Sequence, residues 1–99
     1  MRTALSILLL VVLAGCSHPT STRVKADRQL TAEEKRIVEI ARSSVATNDT
    51  WVDRAEFEIP KRDGSGWSVV VWRLPYTPGG HRLVLIDEHD RVTAYHRGK

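Results

Sequence analysis

The chain has 99 residues, 15 Lys and Arg against 12 Asp and Glu for a net charge of +3, and a single cysteine. That length holds one domain, and a charge this mild, interleaved in sign along the chain, gives no argument for a nucleic-acid partner, and none is expected. One thiol leaves no intramolecular disulfide, so a folded part must be held by packing alone.

Met1, Arg2 and Thr3 put one positive charge ahead of an uninterrupted apolar run over residues 7–13. The run is far short of the roughly 20 apolar residues that cross a bilayer as a helix, and its order is that of a secretory signal peptide. It closes on Leu13-Ala14-Gly15-Cys16. These four residues resemble the lipobox of bacterial lipoproteins. The resemblance implies that Leu13, Ala14 and Gly15 are read by the lipoprotein signal peptidase and that the Cys16 thiol takes up a diacylglyceryl group. Cleavage before Cys16 removes residues 1–15, takes Arg2 away and lowers the net charge from +3 to +2. Ser17, where an aspartate would retain the protein at the inner membrane, implies the periplasmic face of the outer membrane. The lipid on Cys16 is the one attached group expected, with no other cofactor. Buried acyl chains contribute about 0.8 kcal/mol per methylene, so two or three of them hold a small domain at the membrane.

Residues 16–29 follow as lipidated cysteine and tether, with one branched apolar residue, Val24, among hydroxyls, charges and Pro19. A flexible linker of about 13 residues has a root-mean-square reach of about 20 Å, which keeps the folded part close to the membrane. His18 reads as a solvated tether residue.

The folded domain is expected over residues 30–99. Thr31-Ala32-Glu33-Glu34 is a capping box, in which the Thr31 hydroxyl and the Glu34 carboxylate satisfy each other's backbone amides. Ile37, Val38, Ala41 and Val45 recur at helical spacing, flanked by Ile40 and Ser44, and the charged residues fall mostly on the other faces. The spacing predicts one amphipathic helix that ends at residues 47–50, with Asn48 or Asp49 free to take a left-handed conformation. Its stripe suits packing on a sheet.

The remainder alternates as strands. Trp51, Ala55, Phe57 and Ile59 share one side of a first strand that stops near Pro60, and residues 61–66 turn into a second over residues 67–74. There Trp67, Val69 and Val71 lie on one side and Val70, Trp72 and Leu74 on the other. Residues 75–80 form a loop, residues 81–86 a third strand, residues 87–90 an acidic turn and residues 91–96 the last strand. The expected fold is α+β, one N-terminal helix packed on a four-stranded antiparallel meander.

A sheet with one helix has a second face. Val70, Trp72 and Leu74, with Tyr76 in the adjoining loop, are the candidate binding surface, since exposed apolar patches mark interaction sites. The alternative is that Trp72 folds over the sheet beneath Tyr76 and long arginine stems.

Trp67 in a strand, Leu74-Pro75, Gly79-Gly80 opening a strand, the acidic turn at Asp87 to Asp90 and the terminal His96-Arg97-Gly98-Lys99 resemble the closing half of the nuclear-transport-factor-2-like immunity proteins. PepSY-type periplasmic domains, one helix on a small sheet, are comparably similar. The resemblance implies a cystatin-like sheet and, for the immunity proteins, neutralisation of a toxin in the periplasm.

Chemistry has few carriers. A four-residue last hairpin loop would set His81 opposite His96, two of the three or four ligands that zinc or copper takes; a three-residue loop would shift the register and dissolve the pair. There is no Ser-His-Asp order in a convincing context, no glycine-rich phosphate loop, and no thiol nucleophile once Cys16 is lipidated. The sequence therefore points to a membrane-anchored, non-enzymatic module that binds an envelope protein or peptide. Its alternatives are an immunity-like protein and a metal carrier using His81 and His96.

Overall fold

The computed structural model describes residues 22–98. Leu13, Ala14, Gly15 and Cys16, the lipobox residues, lie outside the described residues, as do His18 and Lys99. The elements in chain order are β1 (Arg23–Lys25), α1 (Ala32–Asn48), a 3-10 turn (Val52–Arg54), β2 (Ala55–Glu58), β3 (Lys61–Asp63), β4 (Gly66–Arg73), β5 (His81–Ile86) and β6 (Val92–Arg97). The fold is α+β, one helix against a mixed six-stranded sheet of order β1-β2-β4-β5-β6, with β3 also paired to β4.

Helix α1 starts at its capping box. The Glu34 N–H donates to the Thr31 hydroxyl and the Thr31 N–H to the Glu34 carboxylate. Arg28 then clamps the same carboxylate with two N–H groups, at 2.9 and 2.7 Å. This carboxyl is held down at about 2, first by the Arg28 hydrogen bond and then by the Thr31 amide. A carboxyl depressed in the folded chain stabilises it above its unfolded pKa, and that stabilisation is lost as the pH falls through the folded value. Glu34→Gln should therefore flatten the decline in melting temperature between about pH 4.5 and about pH 2. Parallel melts of the two proteins check this, and equal slopes would refute it.

The helix stripe is as its spacing requires. Ile37, Val38, Ala41 and Val45 are buried, and they meet Trp51, Ala55, Phe57, Trp67, Val69, Val71, Val84 and Ile86 in one core. Each large side chain so buried contributes about 1.5–3 kcal/mol. The helix end differs from expectation. Asn48 is still helical, and Asp49 is extended at φ −137° and not left-handed, its N–H bonded to the Val45 carbonyl. The reason lies outside the helix: the Asp49 carboxylate is drawn to Arg82 across 33 residues of sequence.

The sheet corrects three further expectations. Arg23–Lys25, inside the stretch read as a tether, is an edge strand parallel to β2, with Arg23 opposite Glu56 and Lys25 opposite Glu58. Opposite charges on one face and Val24 packed on the core from the other make this short segment a strand. The Thr22 hydroxyl also donates to Glu39 of α1 at 2.9 Å. Parallel pairing needs a long crossover, and α1 supplies it.

The strand expected over residues 51–59 begins instead with the 3-10 turn and ends as β2 before Pro60, and residues 61–63, read as part of a turn, form β3; β2 and β3 pair with opposite ends of β4. Proline has no N–H to give a ladder, so the break falls there.

The last hairpin is the third correction. The Asp87 N–H donates to the Arg91 carbonyl, Asp90 takes φ 62°, and the Asp87 carboxylate accepts the His89 and Arg91 amides. Residues 88–90 thus form a three-residue loop, with an aspartate in the left-handed position that aspartate tolerates. A bulge then moves the register from Ile86 opposite Val92 to Leu85 opposite Ala94. His96 faces Leu83, and the His81 carbonyl accepts the Gly98 N–H. His81 and His96 are not a cross-strand pair.

Candidate functional site

Strand alternation assigns the two faces of the sheet. On β4, Trp67, Val69 and Val71 are buried beneath α1, while Ser68, Val70 and Trp72 are only partly buried. Pairing carries the outer row across the sheet: Glu56 opposite Trp72, Trp72 opposite His81, Val70 opposite Leu83, Ser68 opposite Leu85, and Leu85 opposite Ala94. Val70, Trp72, Leu83 and Leu85 therefore form an apolar stripe over two strands, each partly exposed. Leu74, also partly exposed, lies just beyond the end of β4, where its N–H donates to the Arg54 carbonyl.

Leu83 and Leu85 belong to the surface although the sequence reading did not place them on it. Their strand reads His-Arg-Leu-Val-Leu-Ile, apolar on both sides, and the side that Arg82 shares with Val84 and Ile86 is the buried one. Arg82 is 8 % exposed and gives Nε and a terminal nitrogen to Asp49 at 3.0 and 3.2 Å. Its guanidinium lies 5.2 Å from the centre of the Trp51 ring. The Tyr95 hydroxyl donates to the same carboxylate, and Arg97 stands 3.9 Å away. Burial pushes the Asp49 carboxyl up, but the Arg82 and Tyr95 hydrogen bonds and the two arginine charges outweigh it and the net direction is down. Burial first, and then the bond to Asp49, push the Tyr95 hydroxyl up.

This buried cluster positions the loop at the top of the stripe. Arg82 donates from its other terminal nitrogen to the carbonyls of Gly79 and His81, at 3.1 and 2.9 Å. The Gly80 N–H donates to the Thr77 carbonyl, the Thr77 hydroxyl to the Pro75 carbonyl, and Gly79 takes φ 78°. The loop brings Tyr76, 57 % exposed, beside Trp72. The two rings meet edge to face, with centroids 5.8 Å apart and planes at 88°, and the His81 ring centre is 5.2 Å from that of Trp72 with the planes tilted by 42°.

Two glutamates of β2, Glu56 and Glu58, hold these rings. Trp72 Nε1 donates to Glu58 at 2.7 Å, and the Tyr76 hydroxyl donates to Glu56. The Glu56 bond, followed by burial and the charges of Glu56 and Glu58, pushes the Tyr76 hydroxyl up. Trp72 is thus braced by Tyr76 and Glu58 and still partly open, between the two arrangements expected for it.

Trp72, Tyr76, Thr77, Pro78, Gly79 and His81 line an open recess of about 340 Å³. A larger recess of about 600 Å³ runs along the β1 and β3 edge, where Lys25 and Lys61 balance Asp27 and Glu58 and no aromatic ring lines it. Among the described residues no three His, Cys, Asp or Glu side chains come together to hold a metal ion, and no helix is long and apolar enough to cross a membrane.

Comparison with known proteins finds no match to a family model, to a curated protein or to a solved structure. Fold and surface define the chain as a small α+β domain with one sheet face under a helix and an apolar, aromatic-ended face open on the other side.

Proposed function

We propose that this chain is a lipid-anchored binding module of the bacterial envelope. Cys16 carries the lipid at the periplasmic face of the outer membrane, and the outer sheet face with its aromatic corner recognises a protein or peptide partner without catalysis. The observation that carries the reading is the stripe Val70, Trp72, Leu83 and Leu85, apolar and partly exposed on the face that α1 does not cover. Apolar surface of this kind, beside polar residues, is what association buries. Neutralising a toxin, as the likeness to cystatin-like immunity proteins implies, is a function of the same type, and the partner's identity decides it. The metal-carrying alternative loses the cross-strand histidine pair that motivated it.

Crosslinking in native membranes followed by pull-down, with wild type and Trp72→Ser in parallel, tests the reading. Trp72 is outside the buried core, so the variant is expected to melt cooperatively and to lose a stoichiometric partner that the wild type retains. A variant that unfolds, or one that keeps the partner, would overturn the proposal.

A further inference from the structure

The edge of the sheet opposite β1 carries a second surface, distinct from the aromatic corner. β6 is the last strand there and pairs only with β5 among the described residues. The Gly98 N–H donates to the His81 carbonyl, so antiparallel alternation makes Leu83 with His96, and Leu85 with Ala94, the hydrogen-bonded pairs. Tyr95 and Arg97 therefore turn their N–H and C=O groups away from β5, where no described strand receives them. These backbone groups select their own occupant. An edge of N–H and C=O groups in alternation is matched by another extended main chain.

Helix α1 turns this edge into a groove. It runs beside β6, tied at one end by Arg36 to Asp90 at 3.1 Å and at the other by Arg97 to the Asn48 carbonyl at 3.1 Å. Between the ties Ile40, Ser43, Ser44, Thr47, Asn48 and Val92 line a recess of about 430 Å³. Val92 is 39 % exposed there, and the Thr47 hydroxyl and Asn48 amide donate back to helix carbonyls, those of Ser43 and Ser44. Alternate side chains of a strand point to opposite faces. A strand laid on β6 would thus turn every second side chain toward Ile40 and Val92, and the others beside Ala94, which continues the apolar stripe from Leu85. A second copy would bring its own β6, whose inward side chains are already engaged: Tyr95 donates to Asp49, and Arg97 to Asn48. They are not free to enter the recess. We infer that the β6 edge receives an extended segment of another protein, added as a further strand with an aliphatic side chain between α1 and β6.

The test uses the full chain in detergent micelles and reads hydrogen exchange at the Tyr95 and Arg97 amides. The probe is an acetylated, amidated peptide of alternating valine and threonine, N-methylated at its threonines, which keeps one hydrogen-bonding edge and blocks self-assembly through the other. The control is the same peptide N-methylated at every residue. The probe should slow exchange at both amides by about tenfold or more at saturation, and the control should not. Arg97→Pro removes an outward N–H that the β5 ladder does not use, whereas Arg97→Ala removes only the side chain. The titration midpoint read at Tyr95 should be about fivefold higher in Arg97→Pro than in Arg97→Ala. The peptide comparison is made on the wild type and does not depend on either variant folding. Equal effects of probe and control, or equal midpoints in the two variants, would overturn the inference. So would protection of the same amides that rises with protein concentration alone, because it would place a second copy on the edge. The two proposals fail separately. A partner lost in Trp72→Ser while probe and control act alike keeps the outer face and removes the edge site, and selective protection with the partner retained in Trp72→Ser does the reverse.

Discussion

Asp49→Ala should destabilise the domain by about 3–5 kcal/mol, because it leaves the Arg82 guanidinium buried without its counter-charge. Both side chains are nearly closed to solvent, 10 % and 12 % exposed, so water cannot replace the lost carboxylate. The double variant Asp49→Leu with Arg82→Leu removes both charges and should cost less than Asp49→Ala alone. Denaturant unfolding of the wild type and these two variants checks the order, and a double variant that loses as much as Asp49→Ala or more would refute it. The pH dependence has a defined sign. Asp49 is depressed in the folded chain, so its contribution is present above its unfolded pKa and is lost as the pH falls through its folded value. The loop that carries Tyr76 should respond as well. Arg82 holds the Gly79 and His81 carbonyls only while Asp49 orients it, and hydrogen exchange at the Gly80 amide should quicken in Asp49→Ala. A stability loss with unchanged exchange at that amide would separate the cluster from the site.

Gly66→Ala should cost about 2–3 kcal/mol by overpacking, although Gly66 lies at the opposite end of β4 from Trp72. A methyl group there would collide with the Ile86 carbonyl oxygen and press on the Asp87 backbone. Neither can yield easily, since Trp67 pairs with Ile86 at the start of the longest ladder in the sheet. That ladder runs on to Trp72 opposite His81, so a shift at Gly66 also disturbs the strand that presents the surface. Chemical denaturation measures the loss. A change under about 0.5 kcal/mol would show that the ladder adjusts as a surface position does.

Helix α1 and its stripe were legible in the sequence because each signal is local. Thr31 and Glu34 stand at the spacing of a capping box, and Ile37, Val38, Ala41 and Val45 at the spacing of one helical face. The faces of β4 were legible for the same reason, since alternation alone separates Val69 and Val71 from Val70 and Trp72. A break at Pro60 and the loop over residues 75–80 also follow from residue type and order.

What depended on contacts distant in sequence was decided by the tertiary structure. Edge strand β1 exists because Glu56 and Glu58 stand opposite Arg23 and Lys25, and three residues carry too little pattern to announce a strand. The last register is set by a loop and a bulge whose geometry a hydrophobic pattern does not encode. Arg82 gives the physical reason most clearly: a charge belongs in water until a counter-charge meets it inside. That counter-charge, Asp49, comes from the end of the helix. The pairing turns Arg82 inward and Leu83 and Leu85 outward, and it ties the loop that builds the aromatic corner. The residue types of the surface were thus determined by the sequence alone. Their assembly into one stripe ending at Trp72, Tyr76 and His81 was decided by an ion pair that only the folded chain can form.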